Sequence, residues 1–124
     1  MHENVEKEIH LRNYLVERVM REIEDVRYNG SSIYRLPGNA SFSFKRVEAT
    51  ALLVLLEEEG IIASAGSACN SGSSRLSHVI SAINVPEEYA IGTIRFTLGE
   101  DTSREDIDWT VESLKRNVKL LRMI

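Results

Sequence analysis

Two segments of helical period bracket this chain of 124 residues. From Val5 to Val26 the apolar residues Val5, Ile9, Val16, Val19, Met20 and Ile23 recur at helical spacing among charges, with no glycine or proline. That pattern predicts an amphipathic helix. Near the other end Ile107, Val111, Leu114, Val118 and Leu121 form a second apolar stripe, opened by Thr102 and Glu105 at capping-box spacing. Both stripes need apolar surface to cover them, so the residues between must supply a layer for the helices to pack on.

That layer is legible as a small sheet. Ala40, Phe42 and Phe44 alternate with Ser41 and Ser43, the period of a half-buried strand. Thr93 to Leu98 predicts another, with Ile94, Phe96 and Leu98 on one side and Thr93, Arg95 and Thr97 on the other. Ile61 to Ala63 and Ile33 to Leu36 are shorter strand segments, set off by turns at Asn29 to Ser32 and Pro37 to Asn39. Val47 to Glu59 predicts a helix closed by Gly60. A short helix from Ser77 to Asn84 and a helical turn from Pro86 to Ala90, ended by Gly92, complete the order. The fold class is α+β, a two-layer sandwich of three or four mostly antiparallel strands with helices on one face. The length suits one domain, residues 1–124.

Charge narrows the function classes. The formal net charge is -4 and no Lys/Arg cluster occurs, which argues against a nucleic-acid or anionic-membrane surface. No apolar run approaches the roughly 18 residues of a membrane span. The first residues lack a basic-then-apolar signal pattern, so a cytoplasmic location is expected. A single cysteine excludes an intrachain disulfide and a Cys-rich zinc site.

That cysteine lies at the centre of Gly66-Ser67-Ala68-Cys69-Asn70-Ser71-Gly72-Ser73-Ser74. Glycine and serine restrict a backbone little or bond to it locally, so a thiol carried there can travel. Cys69 is either a small buried hydrophobe or a nucleophile, and its polar neighbours favour the second. Ser67 and Asn70 flank it as accessory groups. His78 is either a proton acceptor or a capping or surface residue. Arg95 reads as a solvent-facing charge, half of a salt bridge, or a carboxylate anchor whose parallel N–H groups match a carboxylate. Trp109 reads as core. Lys7, Lys115 and Lys119 sit on polar helix faces and Lys45 at a strand end, so none reads as a buried Schiff-base lysine. There is no phosphate-cradling glycine loop and no metal cluster.

Ser64 to Gly72, then Ser77-His78-Val79, then Gly92-Thr93-Ile94-Arg95-Phe96-Thr97-Leu98-Gly99 together resemble the pyridoxal-phosphate-dependent cysteine desulfurases of the NifS/IscS type, in the class-V aminotransferase superfamily. Arg35 to Asn39, Phe42-Ser43-Phe44 and Ile107-Asp108-Trp109 fit the same family. The resemblance covers only the C-terminal small domain of that type I transferase fold and implies a larger cofactor domain preceding it, consistent with a chain that opens on a long charged helix. It implies that Cys69 attacks the sulfur of cofactor-bound L-cysteine, leaving L-alanine and a persulfide, and that Arg95 grips the substrate carboxylate. It further implies an iron–sulfur scaffold or other sulfur acceptor as partner, a homodimer for the complete enzyme, and no pyridoxal phosphate bound by these residues alone. Arg75-Leu76 departs from the acidic residue and proline common in the family. The competing readings are a stand-alone persulfide carrier or partner-binding module, a relative acting on selenocysteine, or a related aminotransferase.

Overall fold

Alternating apolar residues in separate segments build the sheet, and helices cover one face of it. The computed structural model describes residues 2–29, 38–65, 89 and 91–124, with side chains from residue 5 onward. Its elements are α1 (His2–Glu22), β1 (Val26–Tyr28), β2 (Asn39–Phe44), α2 (Ala49–Glu58), β3 (Ser64–Ala65), β4 (Thr93–Thr97) and α3 (Arg104–Met123). The four strands lie in the order β1-β2-β4-β3, with every pair antiparallel. The α+β fold expected from the alternating patterns is the fold observed.

Register explains the two faces of the sheet. Phe42 stands opposite Ile94 and Ala40 opposite Phe96, so their side chains share one face. On that face Phe42 meets Tyr28 at 5.5 Å, Phe96 at 6.2 Å and Phe44 at 6.3 Å between ring centroids, spacings at which tilted and edge-on rings attract. Leu15 and Val19 of α1, Leu52 and Leu56 of α2, and Val111 and Leu114 of α3 are fully buried with them. α1 packs on β1 and β2, α2 packs on β3 and β4, and α3 touches both other helices.

The β2–β4 ladder is extended at each end by a glycine. The Leu98 amide donates to the Gly38 carbonyl at 2.7 Å, and the Phe44 amide to the Gly92 carbonyl at 3.0 Å. At Gly92 a Cβ would stand 2.2 Å from the Phe44 carbonyl oxygen and 2.6 Å from that of Val47. Only glycine lets the chain pass there. Gly60, at φ 84, ends α2 as its position after the helix predicts.

Several boundaries fall elsewhere than the local pattern indicates. α1 stops at Glu22, and Val26 opens β1 instead of closing the helix. The stop is made by Asp25, at φ 55, and by a side chain from the far end of the chain. Arg122 donates to the carbonyls of Glu24 and Asp25 at 2.8 Å each and to that of Lys45 at 2.9 Å, gathering two chain reversals under one guanidinium. The buried stripe of α1 is Leu11, Leu15 and Val19, continued by Ile23 just past its end, whereas Val5 and Met20 are 40% and 43% exposed. The third strand is Ser64–Ala65 rather than Ile61 to Ala63. α2 begins at Ala49, not Val47. The capping box of α3 is Ser103 with Asp106, one residue beyond the expected pair. Ser103 Oγ accepts from the Asp106 amide at 3.1 Å and Asp106 Oδ2 from the Ser103 amide at 2.9 Å. Thr102 instead accepts from the Gly99 amide at 2.9 Å. The strand expected at 33–36, the helix at 77–84 and the cysteine loop lie outside the described residues.

Charge clusters lock α3 to its neighbours. Between α1 and α3, Arg18 bonds Glu22 through Nε at 2.7 Å and Nη2 at 2.9 Å, and also reaches Asp108 and Glu112. Lys115 adds a bond to Glu22 at 3.0 Å. Arg18 first, and Lys115 after it, lower the Glu22 carboxyl to about 2. At the end of α2, Glu59 is held by Arg116 at 2.7 Å and Asn117 at 3.0 Å, and is likewise lowered to about 2.

Two outcomes follow for stability. A carboxyl depressed from 4.5 in the unfolded chain contributes fully above that pH and loses its contribution as pH falls toward about 2. Glu22→Gln should therefore lower stability at neutral pH and flatten part of the acid arm of the urea-unfolding profile, and adding Glu59→Gln should flatten more of it. An acid arm of unchanged steepness in the double variant would contradict this. Gly92→Ala should destabilise by at least about 1–3 kcal/mol, the cost of forced overpacking. An unfolding midpoint equal to that of the parent chain would contradict the close approach.

Candidate functional site

The face of the sheet turned away from the helices carries hydroxyls, amides and arginines. Strand alternation places Ser41, Ser43, Thr93, Arg95, Thr97 and Ser64 on it. The sequence pattern suggests a half-buried β2, yet all six of its residues are buried, serines included. Buried polar atoms require partners, and here they bond to one another. Asn29 donates from Nδ2 to Ser43 Oγ at 2.8 Å and to Ser41 Oγ at 3.3 Å. Ser43 and Thr93 share a hydrogen bond of 2.7 Å between hydroxyls, and Thr93 reaches the Tyr89 carbonyl at 3.5 Å. Thr97 donates to Asn39 Oδ1 at 3.3 Å.

Arg95 rises from the middle of β4 with Ser41 opposite it on one side and Ser64 on the other. It is half-buried. With Ile62, Ala63, Ser64 and Thr97 it lines a cavity of about 240 Å³ at the β3 edge of the sheet. Of the readings open for Arg95, a fully solvent-facing charge is thereby removed. The small side chains beside it leave room for a guanidinium and an incoming anion, and a guanidinium on a rigid strand suits a planar carboxylate.

Ala65, the residue after Ser64, pairs with Ile94 next to Arg95. Cys69, Ser67, Asn70 and His78, the other expected site residues, lie outside the described residues. Trp109, expected in the core, is 51% exposed, and its Nε1 donates to the Glu59 carbonyl at 2.9 Å. The last helix turns this position outward, because Ile107, Val111 and Leu114 take the buried face. The polar layer of Asn29, Ser41, Ser43 and Thr93 was not singled out from the sequence. Its signal is the hydroxyl residue at every second position of two strands.

Pyridoxal phosphate requires a lysine for its aldehyde and donors for its phosphate. Among the described residues no lysine lines the cavity of Arg95. Lys7 donates to the Glu100 carbonyl at 2.8 Å and Lys115 pairs with Glu22, both in the helix layer. At this cavity the described residues present a guanidinium and hydroxyls, without a lysine or a set of phosphate donors.

Known proteins share this chain's sequence and fold. The family model described as aminotransferase class-V matches residues 1–109. A protein named cysteine desulfurase IscS from Dictyoglomus turgidum is 47% identical over 124 residues, which is all of this chain and 32% of that protein. A cysteine desulfurase from Klebsiella pneumoniae is 41% identical over 114 residues, covering 92% of this chain and 29% of that protein. The chain thus spans about a third of the length of the curated relatives it matches. Among solved structures, a NifS-like protein superposes with a TM-score of 0.77 at 24% identity, over 96% of this chain and 29% of that one. The NifS-like protein from Rickettsia africae gives 0.73 at 24% identity, over 92% of this chain and 29% of that one. Both structural likenesses speak to fold. By the family match and by identity along its whole length, the chain belongs to the class-V aminotransferase family.

Proposed function

We propose that residues 1–124 are the C-terminal small domain of a longer, cytoplasmic, homodimeric cysteine desulfurase. The observation that carries this reading is the 47% identity along the whole chain to a protein bearing that name. In net chemistry the sulfur of L-cysteine passes to the thiol of Cys69. The substrate's carbon–sulfur bond breaks, that carbon gains a proton to give L-alanine, and Cys69 is left as a persulfide. Pyridoxal phosphate supplies the electron sink when bound, held by residues beyond this chain. Cys69 then delivers its outer sulfur to an iron–sulfur scaffold or another sulfur acceptor, with Ser67, Asn70 and His78 as accessory groups.

The described residues support two parts of this reading. Arg95, on a strand held from both sides, suits the role of gripping the substrate's carboxylate, and its cavity is lined by Ala63, Ser64 and Thr97 together with Ile62. Three residues lie between Ala65, paired beside Arg95, and Cys69. Four steps along the chain span at most about 14 Å, a length that keeps Cys69 within reach of the proposed carboxylate grip.

Arg95→Ala in the longer protein should raise KM for L-cysteine at least about tenfold, since a charge-assisted hydrogen bond contributes roughly 1.5–3 kcal/mol. Cofactor absorbance should be unchanged, because Arg95 is not assigned to the cofactor. Steady-state alanine formation measures the first and a visible spectrum the second. An unchanged KM would return Arg95 to a structural role.

A further inference from the structure

A second cavity, of about 270 Å³, opens where the end of β4 meets the first turns of α3. Its floor is apolar, made by Leu15, Phe96, Leu98 and Ile107. Its walls include Ile62, 75% exposed, and Trp109, 51% exposed. The indole is fixed rather than free. Its Nε1 bonds the Glu59 carbonyl at 2.9 Å, and the Arg116 guanidinium lies 5.9 Å from the ring centroid. A held, half-exposed tryptophan beside an apolar cavity is the kind of anchor on which protein interfaces concentrate their binding energy.

The rim is acidic. Asp106 lines the cavity. Glu105 lies one turn before Trp109 on α3, Asp101 adjoins the lining residue Thr102, and Glu58 precedes Gly60 by two residues. Glu58, Asp101 and Glu105 are all exposed, and no cation among the described residues pairs with any of them. Of the cations nearby, Arg116 pairs with Glu59 at 2.7 Å, Arg104 lies 4.3 Å over the Tyr14 ring and Lys7 donates to the Glu100 carbonyl at 2.8 Å. An apolar pocket with exposed carboxylates on the residues beside it favours apolar side chains carried between cations.

We propose that this groove docks a basic segment of a partner protein, seating one large apolar side chain between Ile62 and Trp109 with lysines or arginines against Glu58, Asp101 and Glu105. Ile62 and Thr97 line both this groove and the Arg95 cavity. A partner held here would therefore sit next to the Arg95 cavity. The groove stands on its own geometry and does not require that assignment.

The chain has one tryptophan, so its emission reports on this surface alone. Fluorescein-labelled Lys-Lys-Leu-Phe-Lys-Lys is titrated into the chain, with anisotropy giving affinity and Trp109 emission, read with unlabelled peptide, giving location. Binding should be saturable, shift the emission to the blue, and weaken as salt is added. Glu58→Lys with Glu105→Lys should weaken it at least tenfold, and peptides with glutamate for lysine, or alanine for Leu-Phe, should not bind. An unmoved Trp109 emission, or equal binding of the acidic peptide, would overturn the proposal. Binding by the 124-residue chain but not by the longer protein would also overturn it, assigning the groove to the rest of that protein.

Discussion

The antiparallel pairing of β2 with β4 is the constraint on which the rest depends. One register, Phe42 opposite Ile94 and Ser41 opposite Arg95, settles both faces of the sheet at once. A slip of one residue would send the phenylalanines to the polar face and Arg95 into the helices. The backbone bonds to Gly38 and Gly92 carry the ladder past its strand ends. At Gly92 the crossing is so close that a side chain has no room. The apolar face then fixes where α1, α2 and α3 dock, and the polar face carries the candidate site.

What the sequence revealed, and what it did not, follows from the range of the forces involved. Period and glycine placement are local, so α2, β2, β4, α3 and the Gly60 stop were legible, and with them the α+β class. The end of α1 was not, because Ile23 and Val26 continue a helical spacing that is broken from 97 residues away by the Arg122 guanidinium. The stripe of α1 was misjudged for a related reason. Leu11, Leu15, Val19 and Ile23 also recur at helical spacing, and contact with the rest of the core selects that row over Val5 and Met20. The capping box moved by one residue because Thr102 and Ser103 both carry a hydroxyl. Only the Gly99 turn, which takes Thr102 as acceptor, distinguishes them.

The candidate site divides in the same way. Alternation placed Arg95 on the polar face from sequence alone, but its half-burial depends on what the sheet's neighbours cover. The buried hydroxyl layer of Asn29, Ser41, Ser43 and Thr93 crosses three segments; alternation marks its hydroxyls, but their joining through Asn29 is set by the strand pairing. Trp109 was expected inside because tryptophan usually is. The helix phase set by Ile107, Val111 and Leu114 turns it outward, where it becomes part of the second groove.

The central claim is that Cys69 carries the sulfur taken from L-cysteine, with this chain as the small domain of the longer protein. The most direct measurement is to react the longer protein with sulfur-labelled L-cysteine, alkylate it under non-reducing conditions, digest it, and read the masses of its cysteine peptides. The account predicts one extra sulfur atom on the peptide containing Cys69, removable by a thiol reductant. An unmodified Cys69 peptide, with alanine still formed and label on a different cysteine, would contradict it.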